Sequence, residues 1–315
     1  MIHIYHPDAI DIFREDARPE ELAGGFRFAE GPLWHPEGYL LISDTPQNRM
    51  FQIQPNGIKR VYQLHSGGMC ITYKYLSDMI GSNGLAFDME GNIIICQHGS
   101  HCIASMDKAK NIVPLCSSYD GKPFNSPNDV VVRSNGAVYF TDPPYGLANQ
   151  VLNPGFFQPH GGVYCYFKNA VKLLSTDLNY PNGICLSADE KFLFVSSNHP
   201  DEKKIYRFEL SNDGEVVRKQ IFAMMNADGI KLDPFNNLYA ATMDGVLVLS
   251  AAGEKIARIA LPSMATNIAF GGEHHSMLFI TTPSTVYSIE MSYRKNGRYD
   301  YNPFTEKFNY PNSRP

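Results

Sequence analysis

The 315-residue sequence lacks most of the signatures by which enzymes and binding modules announce themselves. There is no GxxxxGK[ST] loop, no GxGxxG, no GxSxG elbow and no CxxC pair. P-loop nucleotide chemistry, dinucleotide binding, a serine-hydrolase elbow and a zinc ribbon are therefore not indicated. No run approaches the roughly 20 apolar residues of a membrane helix. Basic runs are missing too. With 27 basic against 32 acidic residues and a net charge of −5, the chain has no clustered positive footprint for nucleic acid. The N-terminal stretch MIHIYHPDAIDIFRED mixes charges throughout and does not read as a secretory leader, so a cytoplasmic protein is expected, or a periplasmic one if a leader has been removed. Helical periodicity is nearly absent; only residues 8–22 could form a short helix or two before the first blade.

Six cysteines, at 70, 96, 102, 116, 165 and 185, fall mostly within apolar runs such as NIIICQ and GVYCYF. A chain of this size does not need disulfide staples, so free buried thiols are expected.

What is present is turn residues, aromatics and a repeat. There are 25 Gly, 21 Pro, 18 Tyr and 19 Phe but one Trp, a composition that suits short strands and tight turns. One phrase recurs six times: a polar residue, a small residue, a short apolar run, a turn and a second apolar run. It opens at Glu30 (EGPLW, then GYLLISD), Asn83 (NGLAFD, then GNIIICQ) and Asn128 (NDVVV, then GAVYFTD). It returns at Asn182 (NGICL, then KFLFVSS), Asp228 (DGIKLD, then NLYAAT) and Asn267 (NIAF, then SMLFITT). Four short strands in each period of ~40–54 residues mark a propeller blade. The expectation is all-β: a single six-bladed β-propeller over 1–315, with four-stranded blades around a central channel. A lead-in at 1–25, a tail at 295–315, and a strand from one terminus closing the last blade complete it.

Equivalent positions of the innermost strands meet around a propeller's axis. The six opening residues are all carboxylates or carboxamides, two acids among four amides, which is an all-oxygen environment suited to Ca²⁺ or, less well, Mg²⁺ or Mn²⁺. A single Asn-Gly or Asp-Gly would be read as a turn. Six in phase favour a metal ring.

The strings FAEGPLW (28–34), SNGLAFD (82–88), DGKPFNSPNDVVV (120–132), VYFTDPPYGL (138–147), YPNGICLSADEKFLFVS (180–196), NADGIKLD (226–233) and ATNIAFGG (265–272) resemble the SMP-30/gluconolactonase/luciferin-regenerating-enzyme family, its bacterial gluconolactonase branch most closely. The resemblance covers about residues 26–290. It implies a propeller with one catalytic divalent cation, calcium first, with Zn²⁺, Mn²⁺ or Mg²⁺ as alternatives. It implies Glu30, Asn182 and Asp228 as direct ligands, with Asn128 ligating or beside the ion and touching substrate. The expected activity is hydrolysis of a small sugar lactone by carbonyl polarisation and water attack, with Asp228 as base and Glu30 second. Asn83, His98, Tyr145 and Asn267 join Asn128 as substrate-binding candidates. Tyr145 sits in a rigid DPPYGL lip, and Trp34 is core or a platform. A small-molecule lactone is the expected partner, with no nucleic acid or membrane, in a monomer or homodimer. Alternatives are phosphotriester or fluorophosphate hydrolysis on the same ion, or a non-catalytic calcium-binding propeller. Two departures from the family stand out. Ser126 replaces an Arg of the mammalian members. Lys231 and Ala269 stand where the fluorophosphatase cousins hold a second calcium, so a single ion is expected, with the Lys231 amine bonded to carbonyls or an acid, or turned to solvent.

Overall fold

The computed structural model describes residues 1–13, 16–68 and 76–291. Among the described residues, alternating apolar residues bounded by Gly, Asn and Asp turns form 27 strands, most of them in six antiparallel sheets. Two strands precede the first blade: β1 (Ile2–Ile4) and β2 (Glu20–Gly24). Blade one is β3 (Ala29–His35), β4 (Tyr39–Asp44), β5 (Arg49–Ile53) and β6 (Lys59–Leu64). Blade two is β7 (Ser82–Phe87), β8 (Ile93–Gln97), β9 (Cys102–Met106) and β10 (Ile112–Cys116). A two-stranded ribbon, β11 (Ser118–Tyr119) and β12 (Lys122–Pro123), leads into blade three, which is β13 (Val130–Val132), β14 (Val138–Asp142), β15 (Gly162–Phe167) and β16 (Ala170–Ser175). Blade four is β17 (Pro181–Leu186), β18 (Phe192–Ser197), β19 (Ile205–Leu210) and β20 (Val216–Ala223). Blade five is β21 (Ile230–Leu232), β22 (Leu238–Thr242), β23 (Gly245–Leu249) and β24 (Lys255–Ala260); blade six is β25 (Asn267–Gly271), β26 (Met277–Thr281) and β27 (Thr285–Glu290).

The six-bladed propeller expected from the repeat is the fold. Its closure uses the N-terminus: β2 pairs with β27, Glu20 opposite Ser288, and becomes the fourth strand of blade six. The described residues of the 8–22 stretch do not form the helix expected there. A short 3-10 turn at Pro7–Ala9 is followed by β2, because the open edge of β27 offers a ladder that the local sequence alone does not reveal. β1 adds a fifth strand to blade five, outside β24. The expected tail at 295–315 lies outside the described residues, as does Cys70.

Six hydrophobic clusters hold the ring, one at each interface between neighbouring blades. Between blades six and one, for example, Leu40, Ile42 and Phe51 meet Ala269, Phe279 and Val286. The second strands of blades one, two and three are buried along their whole length because both faces are covered by adjacent blades, which is why they read as unbroken apolar runs. Trp34 belongs to this packing, stacked on Phe279 with centroids 5.2 Å apart. Cys96, Cys102, Cys116, Cys165 and Cys185 are free thiols. Burial raises the Cys102, Cys116 and Cys185 thiols to about 12. Among the described residues no helix is long and apolar enough to cross a membrane.

Candidate active site

The six opening residues of the repeat are brought together. Glu30, Asn83, Asn128, Asn182, Asp228 and Asn267 are all buried at the start of their blades' inner strands. The Gly that follows four of these positions is not a turn. At Gly31, with φ +50°, an added Cβ would lie 1.9 Å from the Asn83 carbonyl oxygen. At Gly229 it would lie 2.1 Å from Asn267 Oδ1. Neighbouring inner strands thus approach so closely that no side chain fits between them. In blades one, two and four the pairing slips at this point, between Glu30 and Leu33, Ser82 and Leu85, and Pro181 and Ile184; such bulges re-aim a side chain.

Hydroxyls on the second strands lock three of the ring residues to the preceding blade. Ser43 Oγ donates to the Asn83 carbonyl at 2.8 Å, Thr141 Oγ1 to that of Asn182 at 2.6 Å, and Ser196 Oγ to that of Asp228 at 2.7 Å. Backbone positions are therefore fixed before any ligand arrives.

The side chains form a crowded acidic centre. Glu30 Oε2 accepts from the Gly31 N–H at 3.0 Å and from Asn267 Nδ2 at 3.1 Å. Asn267 Oδ1 in turn accepts from the Ile268 N–H at 2.8 Å, so both ends of this carboxamide are engaged in orienting Glu30. Asp228 Oδ2 accepts from Asn198 Nδ2 at 3.0 Å. Burial pushes Glu30 up to about 7, with repulsion from Asp129 adding to it and Lys231 opposing it. Burial also pushes Asp228 well above the carboxylate range, and repulsion from Glu30 adds to it. Two carboxylates held together in a desolvated place call for positive charge, and a divalent cation would relieve both.

The oxygen set fits such an ion. Asn83 Oδ1 is buried with no hydrogen-bond partner, an acceptor left unsatisfied. Among the described residues no cluster of three His, Cys, Asp or Glu side chains has the arrangement of a metal site, as expected where carboxamides supply the remaining oxygens. Glu30, Asn128, Asn182 and Asp228 are the residues that could hold the cation, with Asn83 nearby in the ring.

Sequence reasoning missed Asp129, the second half of the SPND string. Its Oδ1 accepts from the Val130 N–H at 2.9 Å, while its Oδ2 accepts from the Ile184 N–H at 3.2 Å and from Lys231 Nζ at 3.3 Å. Lys231 therefore bonds an acid, one of the placements expected for it. Asn198 was missed as well; its only signal is its place just after the apolar run of blade four.

The lip is built as the Pro pair implies. Asp142, at the end of β14, accepts from the Asn125 and Ser126 N–H groups at 2.8 and 2.7 Å, and its burial raises it to about 8. Ser126 Oγ accepts from the Gly146 N–H at 2.9 Å and donates to the Pro143 carbonyl at 2.5 Å, so this serine folds the loop. Tyr145 projects its hydroxyl beside the Asn182 carboxamide and into the field of Asp228; burial raises its phenol well above the usual range. His98 lies fully buried under Gly146, with Nδ1 2.9 Å from the Met79 carbonyl and Nε2 unpartnered; burial lowers it to about 4, so it is a neutral ring. A cavity of about 180 Å³ opens beside Asp228, lined by Asn198, Asn226, Thr242, Met243 and Met264.

Comparison with known proteins adds an independent line. Residues 28–284 match the family described as SMP-30/Gluconolactonase/LRE-like region. The chain is 30% identical over 287 residues to a gluconolactonase of Zymomonas mobilis subsp. mobilis, covering 86% of this chain and 80% of that protein. It is 26% identical over 250 residues to the lactonase drp35 of Staphylococcus epidermidis, covering 74% and 69%. Among solved structures, a gluconolactonase from Xanthomonas campestris superposes with a TM-score of 0.78 at 27% identity, covering 92% of this chain and 94% of that one.

Proposed function

The chain belongs to the SMP-30/gluconolactonase/LRE-like family, and from that premise we propose that it is a lactonase that opens a small hydroxylated lactone at the channel mouth. The observation that carries this reading is the pair of buried, mutually repelling carboxylates, Glu30 and Asp228, ringed by carboxamides, with Asp228 lining a small cavity. The curated gluconolactonase and lactonase relatives support the substrate class.

Glu30, Asn128, Asn182 and Asp228 would hold one divalent cation, calcium first. Bound there, such an ion supplies Lewis-acid polarisation of a carbonyl and a more acidic water. The chain's own residues do the rest. Asp228 lines the cavity, and with Oδ2 held by Asn198 its carboxylate is aimed at a substrate seated there. It takes a proton from the attacking water as the water oxygen bonds to the carbonyl carbon, then returns that proton to the ring oxygen as the ring C–O bond breaks, so the released oxygen leaves as an alcohol and the carboxylate is regenerated. Asn128 and Asn182 orient the lactone. Asn267 keeps Glu30 in place, and the Tyr145 lip narrows the entrance. The test is a pH-indicator assay on a panel of aldonolactones beside aryl phosphotriesters, before and after chelation. Lactone turnover that falls on chelation and returns with Ca²⁺ or Mn²⁺ is expected. Full turnover after verified metal loss, or turnover of phosphotriesters alone, would refute the reading.

A further inference from the structure

Glu202 lies in the loop between β18 and β19, outside the ring. Its oxygens collect four donors. Oε1 accepts from the Asn179 N–H at 2.8 Å and from Asn179 Nδ2 at 2.9 Å; Oε2 accepts from the Tyr180 N–H at 3.2 Å and from Ser197 Oγ at 2.9 Å. Three of the four are N–H groups, which can only donate, and the Ser197 hydroxyl, which accepts from the His199 N–H at 3.3 Å, is turned to donate here; this set suits a carboxylate better than its amide, whose NH₂ would face at least one N–H. The segment so tied is the entry into β17, on which Asn182 sits.

Two arms run from this knot to the reacting centre. On one side the Tyr180 ring is held between neighbours: it stacks on His199 at 4.4 Å and meets Tyr145 at 5.7 Å, while its hydroxyl donates to the Gln150 carbonyl at 3.3 Å. Tyr145 carries this contact to the Asn182 carboxamide. On the other side the loop that bears Glu202 also bears Asn198, whose Nδ2 holds Asp228, and Asn226 Nδ2 donates to the His199 carbonyl at 2.7 Å. We infer that Glu202 is a positioning residue for the lactonase site, setting Tyr145 through Tyr180 and Asp228 through Asn198. The inference rests on the lactonase reading for its kinetic consequence, but its mechanical content is independent of that reading.

The experiment is a double-mutant cycle joined to hydrogen exchange. Glu202→Ala and Tyr145→Phe should each lower kcat/KM on an aldonolactone about 10- to 100-fold, the scale of a misplaced catalytic geometry. Combined, they should cost no more than about threefold beyond the worse single change, because both break one arm. Glu202→Gln should resemble Glu202→Ala in activity while retaining the native far-UV spectrum, and it serves if the alanine variant does not fold. Amide exchange in Glu202→Gln should rise over 177–182 and also over 143–148, which Glu202 does not touch. Multiplicative kinetic losses, or faster exchange confined to 177–182, would reduce Glu202 to a local loop clamp and overturn the inference. Should the wild type open no lactone, the reaction assignment fails, and the exchange pattern alone still decides the role of Glu202.

Discussion

Replacing Glu30 with Gln should change the pH dependence of stability in the metal-free protein. In the folded chain this carboxyl titrates at about 7 instead of its ordinary 4.5, chiefly because it is buried. Between those values the folded state holds a proton that the unfolded state has released. Stability must therefore fall as pH rises from about 4.5, and the loss is complete once pH passes about 7. At about 1.4 kcal/mol per pH unit the interval corresponds to about 3 kcal/mol. For a chain of this size that is roughly 4–5 °C in Tm. Gln cannot ionise, so this component vanishes, and Asp228 loses the neighbour that repels it, which acts in the same direction. Asp142 and Asp233 titrate high as well, at about 8 and about 6, but they remain in both proteins and cancel in the comparison. The assay is scanning calorimetry in chelator from pH 5 to 8.5. Wild type should lose about 2.5 kcal/mol relative to Glu30→Gln across that range, and saturating Ca²⁺ should remove the loss. Parallel curves for the two proteins would refute the argument.

Other outcomes follow from the same geometry. Asp228→Asn should keep the fold and lower turnover by about 10²-fold or more, read by the indicator assay at saturating metal; near-normal rates would exclude Asp228 as base. Lys231→Met leaves the buried Asp129 without its cation and should cost about 1–3 kcal/mol in denaturant unfolding, less than a fully buried pair because the lysine is a quarter exposed. Wild-type calcium titration should give about one ion per chain, and a second tight channel ion beside Lys231 would contradict this. Gly229→Ala should destabilise by several kcal/mol or abolish soluble expression, since its Cβ would sit 2.1 Å from Asn267 Oδ1; an unchanged unfolding midpoint would disprove the close-approach argument. Intact mass before and after reduction should be identical, the five described cysteines being free thiols.

The repeat made the blades and the ring positions legible, because phase survives even where residue identity changes: Glu30, Asn128 and Asp228 share a position without sharing a side chain. The NG and DG pairs were legible too, but for a reason visible only in three dimensions. What looked like turn chemistry is the space demanded by the next blade's backbone. Partnerships across blades were not legible. Lys231 finds Asp129 over 102 positions of sequence, and Asn267 finds Glu30 over 237, distances at which no local pattern speaks. Glu202 gave no signal either, since an acid in a polar loop resembles any solvated charge until its four donors are seen. The N-terminal strand hid for a related reason: β2 is a strand because β27 needs a neighbour.

The hydrogen bond from Asn267 to Glu30, like that from Thr266 Oγ1 to the Ala29 carbonyl, joins the last blade to the first. A ribosome delivers Glu30 early and Asn267 only after five blades have been made. Until then Glu30 waits without the amide that orients it, and β2 waits for a strand that does not yet exist. Local hairpins can form during synthesis, but the reacting centre is assembled last, in the step that closes the circle and carries the greatest chain-entropy cost. A chain released short of blade six would carry five correct blades and no lactonase site, with β2 and the open inner edges exposed for association with another copy.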